Sequence, residues 1–99
     1  MATKIQRSSG NVFRDLGFDA QEAENLRLRS ELMIQIRSLI KRRDLTQAAA
    51  AKLFGVTQPR VSDLVRGRID LFSLDTLVNM LAAAGVQVRL VVKRPSQVA

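Results

Sequence analysis

The 99-residue chain has no cysteine, no histidine, no tryptophan and no tyrosine. Without cysteine and histidine there are no disulfides, no Cys/His zinc site, no thiolate nucleophile and no imidazole general base. The serines therefore have no activating base, and Lys52 and Lys93 show no partner pattern. Asp63, Asp70 and Asp75 read as local caps and ion-pair partners. We expect no catalysis, no metal and no cofactor. Long apolar runs are missing as well: nothing approaches the roughly 18 residues that a membrane-spanning helix needs. The opening segment MATKIQRSSG carries no apolar core of a secretory signal. Acidic side chains are scarce, nine against sixteen Lys+Arg, for a formal charge of +7. The expectation is a basic cytoplasmic module with no membrane partner, whose own partner is an anion.

What is present suffices for one core and not for two, with 46% hydrophobic residues in a chain of this length. Residues 1–10 are polar and read as a flexible N-terminal segment; residues 95–99 follow a proline and read as a tail. Between them, residues 11–94 form the domain. Val12, Phe13, Leu16 and Phe18 crowd a stretch too short to fold alone. Asp19 can cap a long helix, with Glu22 three residues on as the matching capping-box residue. Leu28, Leu32, Ile36 and Leu39/Ile40 recur at helical spacing beside Met33. The acids of this segment come early and Lys41, Arg42 and Arg43 come last, the order that a helix dipole favours. Those three cations read as a solvated, dipole-compensating helix end. Thr46 caps a helix to about Phe54, and Thr57 caps the next, with Pro59 in its first turn. Gly67 terminates that helix. Ser73 caps a last helix to about Ala84 with the stripe Leu74, Leu77, Val78, Leu81. Residues 86–94 then alternate, as a half-buried strand does.

Two short helices meeting at Gly55 form a helix-turn-helix arrangement. A sharp reversal there calls for positive φ, which costs a residue with a Cβ roughly 1–2 kcal/mol. Ala51 suits a close helix crossing, and Ala50, Leu53, Val61 and Leu64 face inward. Gln58, Arg60, Asp63 and Arg66 are left pointing out, a polar face that fits a major groove. Thr46 and Gln47 sit at a helix N-terminus, where amides can hold a phosphate. Gln58 can pair with adenine and Arg60 can fork onto guanine. Arg66 and Arg68 suit phosphates. Asp63 either accepts from cytosine N4 or orients Arg60 or Arg66.

These segments resemble the lambda-repressor-like (XRE) helix-turn-helix family, and within it the HigA-type antitoxins. The likeness runs through Asn11-Val12-Phe13-x-Asp15-Leu16-Gly17, through Leu45-Thr46-Gln47-Ala48 to Gly55-Val56-x-Gln58-Pro59-x-Val61-Ser62-x-Leu64, and through Gly67-Arg68 with Phe72-Ser73-Leu74-x-x-Leu77. The middle stretch is specific for DNA binding; the outer two point only to the subgroup. The resemblance implies a mainly α bundle of four to five helices plus one C-terminal strand. It implies operator contacts at Gln47, Gln58, Arg60 and Ser62; Thr57, at the start of the second helix, is expected to contact DNA beside them. It also implies pairing with a small basic ribonuclease toxin of the RelE/HigB kind and repression of the shared operon as a dimer. One departure is Ala50, where the broader family often has leucine; Phe54 fills that space.

A lone strand needs a partner, and a second copy can supply one by antiparallel pairing of Val86, Val88, Leu90 and Val92 across a two-fold axis. The homodimer would set two recognition helices about 34 Å apart, one turn of double-stranded DNA. Residues 15–24 hold Asp15, Asp19, Glu22 and Glu24 and no base. That cluster is either helix-start capping or, with Phe13, Leu16 and Phe18 as anchors, a dock for a basic toxin. The alternatives are a stand-alone, phage-like transcriptional regulator with no protein client and, more distantly, an interaction module that binds no DNA.

Overall fold

In the computed structural model, residues 11–95 are described. The expected N-terminal segment 1–10 and residues 96–99 of the tail lie outside them. Five α-helices follow in order: α1 (Val12–Asp15), α2 (Ala20–Arg42), α3 (Gln47–Phe54), α4 (Gln58–Val65) and α5 (Leu74–Ala83). A single 3₁₀ turn, Ile69–Leu71, joins α4 to α5. Side-chain oxygens start every α-helix. Asp19 accepts from Glu22 N–H, Thr46 from Ala49, Thr57 from Arg60 and Ser73 from Thr76. Asn11 does the same for α1, accepting from the Phe13 and Arg14 N–H groups, while its amide donates to the Ala23 carbonyl at 3.2 Å. That bond ties a one-turn helix, unstable alone, to the side of α2.

The core lies among α2, α3, α4 and α5, with α5 packed against both α2 and α3. Met33, Ile36 and Leu39 of α2 pack there with Ala50 and Phe54 of α3 and Val61 and Leu64 of α4. Phe72, Leu77, Met80 and Leu81 complete it. Phe54, like Phe72, is among the largest fully buried side chains, in the same core as Ala50. The buried row of α2 is rotated by part of a turn from the expected one. It runs through Ala23, Leu26, Met33, Ile36 and Leu39, with Leu28 and Leu32 at its half-buried margin. On α5, Met80 takes the inward place expected of Val78, which is exposed.

The C-terminal segment departs most. Residues 86–95 form no strand within the chain, and no strand occurs among the described residues. The alternating pattern is split instead. Val86 and Val88 fold back onto the core, whereas Leu90 and Val92 are 86% and 88% exposed. The physical reason is that a ladder needs an edge to pair with, and a helical body offers none.

Candidate nucleic-acid interface

Gly55 makes the corner between α3 and α4. Its φ of +69° is left-handed, and the Val56 N–H reaches back to the Ala51 carbonyl at 3.0 Å. Space does not impose glycine here, since an added Cβ would meet only the Ala83 methyl at 3.8 Å. The backbone conformation does. Ala50, not Ala51, is the fully buried residue of the pair, and Ala51 and Leu53 are half-buried beside it. Thr57 and Pro59 then start α4, and Val61 and Leu64 fix its inner face. Past its end, Gly67 turns the chain with φ +76° and donates to the Leu64 carbonyl at 3.0 Å.

Thr46 and Gln47 are exposed at the start of α3, as Thr57 and Gln58 are at the start of α4. Arg66 and Arg68 are exposed just beyond α4. Ser62 and Asp63 are half-buried along its flank, and among the described residues Asp63 makes no ion pair with Arg60 or Arg66. Arg68 instead lies 3.9 Å from Asp70, a loose exposed pair.

Arg60 is placed differently from a free reader. Its guanidinium carbon stacks 4.6 Å from the centroid of the buried Phe72 ring, and Nη1 donates to the Leu71 carbonyl at 3.1 Å. One side chain of the second helix thus holds the connector to α5. Arg29 of α2 grips the same connector from the other side, donating to the carbonyls of Ile69 at 3.2 Å and Phe72 at 3.4 Å. Asn25 steadies that arginine by accepting from its Nε at 2.7 Å. Arg29 is not among the residues that the sequence reading selects. The available signal is its spacing: it falls on the buried row between Leu26 and Met33, where a cation must find carbonyl partners.

Charge is distributed along α2 by its ends. Glu22, Glu24 and Glu31 lie in the half beside α1, with Arg27 and Arg29 among them, and Arg37, Lys41 and Arg42 in the half beside the corner helices. Arg27 bridges Glu24 and Glu31, and the hydrogen bond from that guanidinium holds the Glu24 carboxyl below its ordinary range. Of the residues suggested as a protein dock, Phe13 is half-buried, with its ring edge-on to Phe18 at 6.3 Å. Asp15, Leu16 and Phe18 are exposed, Leu16 by 69%. They sit at the acidic end of α2, remote from α4.

Among the described residues no helix is long and apolar enough to cross a membrane, and no cluster of acidic side chains could hold a metal ion. A family model described as a helix-turn-helix domain matches residues 12–93. A solved structure described as an XRE family transcriptional regulator is similar, with 32% sequence identity and a TM-score of 0.71. The match covers 77% of this chain and 85% of that one. No curated protein matches.

Proposed function

Because the chain belongs to the helix-turn-helix domain family and is similar to an XRE-type regulator along most of its length, we propose that it represses transcription as a homodimer on a two-fold operator. We propose further that it serves as the antitoxin of a small basic ribonuclease toxin of the RelE/HigB kind. It would act in the cytoplasm, on the nucleoid. The observation that carries this reading is the separation of two surfaces by α2. At 23 residues the helix is about 34 Å long. The α3–α4 corner, with Gln47, Gln58, Arg66 and Arg68 exposed, lies toward its basic end. The acidic, apolar patch of Asp15, Leu16 and Phe18 lies at the other. A chain built this way can hold a duplex and a basic protein at once. For the dimer, support comes from Leu90 and Val92: unsupported aliphatic side chains on unpaired backbone suit antiparallel addition of a second copy.

Mobility-shift titration on the upstream DNA, together with co-purification from the native operon, tests both halves. Replacing Arg66 or Arg68 by Ala should weaken operator and random duplex alike and shrink the salt slope by about one unit each. Replacing Phe13, Leu16 and Phe18 together by Ala should abolish toxin capture and spare DNA affinity. If toxin capture persists, the docking assignment is withdrawn; if no client co-purifies, the stand-alone regulator is the better reading. A concentration-independent monomer in sedimentation would remove the dimer.

A further inference from the structure

An open groove of about 440 Å³ runs between α2 and the end of α4, lined by Ile34, Arg37, Ser38, Ile40, Lys41 and Val65. Its size is that of a ligand-binding cleft. Ile34, Ile40 and Val65 give it an aliphatic wall; Ile34 is 56% exposed although it sits in mid-helix. Both charged residues at its rim are cations. The same molecule carries the opposite surface. Residues 12–24 expose Val12, Leu16 and Phe18 among Asp15, Asp19, Glu22 and Glu24, with Arg14 as the single base.

We infer that this groove receives the acidic α1 segment of a second copy of the chain. The two surfaces match in both respects that matter at an interface: apolar side chains that are otherwise left in water, and charges of opposite sign around them. They cannot meet within one molecule. From Ala20 to Ile34 is fourteen residues of helix, about 21 Å along a rigid rod. The contact we infer runs head-to-tail, and so propagates from copy to copy instead of closing reciprocally at two. It is therefore distinct from the two-fold pairing proposed for residues 86–94, and independent of it. Val65 ends α4 and precedes Arg66, so an incoming α1 lies beside the helix that would face DNA. Neighbouring copies on adjacent sites would then support one another, and any protein that covers α1 would break the chain of contacts.

Sedimentation of the full chain over a range of concentrations, at low and at high salt, tests this inference. At low salt the average mass should climb past two copies, and added salt should reverse the climb. The paired change Arg37→Glu with Lys41→Glu should weaken this association by roughly tenfold or more, as should Asp15→Lys with Glu22→Lys. Combining all four exchanges the charges and should restore it. Circular dichroism of each variant confirms that the helices remain. An average mass that stops at two copies at every salt overturns the inference, and leaves pairing through the C-terminal segment untouched. So does association that ignores either reversal. If the combined variant fails to recover, the groove is serving an acidic segment of some other protein, and the inference is equally lost.

Discussion

Replacement of Arg60 by Ala offers the sharpest reading of the corner region. The guanidinium makes two contacts within its own chain: the stack on Phe72 at 4.6 Å and the hydrogen bond to the Leu71 carbonyl at 3.1 Å. A cation over an aromatic face at a partly open site is worth about 0.5–1 kcal/mol. A hydrogen bond from a charged donor adds about 1 kcal/mol here, below the roughly 1.5–3 kcal/mol usual for a charged group because this one is half in water. The sum is roughly 1.5–2 kcal/mol. In a domain of this size each kcal/mol moves the midpoint by about 4–8 °C, so R60A should lower Tm by roughly 6–16 °C, followed by the helical circular dichroism signal. Arg60→Lys keeps the charge and loses the plane, and should recover little of that loss. If Tm is unchanged in R60A, the bracing role is refuted. Operator binding separates the remaining possibility. A guanine-reading Arg60 must leave Phe72 to do so, and its loss should then cost about 1–3 kcal/mol, or 5- to 150-fold, on the operator. Random duplex should be affected far less.

Gly55→Ala should destabilise the chain by about 1–2 kcal/mol, because left-handed φ is costly for any residue with a Cβ. No steric part is expected, since the nearest atom lies at 3.8 Å; a loss well above this in chemical denaturation would mean that the corner is tighter than described. The ion pair of Glu24 with Arg27 should show in a pH series. The folded carboxyl titrates below its ordinary value, so the pair's stabilisation is present above that ordinary value. It is lost as the pH falls through the lowered one. Glu24 is exposed and Arg27 half-buried at the surface, so the difference between wild type and Glu24→Gln should be only a few tenths of a kcal/mol at neutral pH. It should vanish in acid; a difference that grows there would contradict the assignment.

The helix boundaries were legible because caps are local. Asp19, Thr46, Thr57 and Ser73 each announce a helix through an oxygen that reaches an amide three residues on, and no distant residue is needed. The positive φ at Gly55 and Gly67 follows from turn chemistry in the same way. What depends on distant residues was not legible. The rotation of the buried row of α2 is set by α4, α5 and the 69–72 connector. The apolar pattern is broad enough to accept either register. Asn11 caps a helix of four residues that persists only because α2 offers a carbonyl. Period alone could not tell that Val86 and Val88 pack inward while Leu90 and Val92 do not, because alternation fixes which side chains share a side and not what lies opposite. Of the interface, the exposed positions at the helix starts were readable. The engagement of Arg60 was not, since Leu71 and Phe72 are eleven and twelve residues away.

Two arginines from different helices hold the backbone carbonyls of one short connector: Arg29 at Ile69 and Phe72, and Arg60 at Leu71 between them. This bears on how such a chain can diverge. An inserted residue between positions 68 and 73 would move at least one carbonyl out of reach, so that stretch should keep its length wherever both arginines occur. Lineages that lose one arginine are the ones free to grow a longer crossing there.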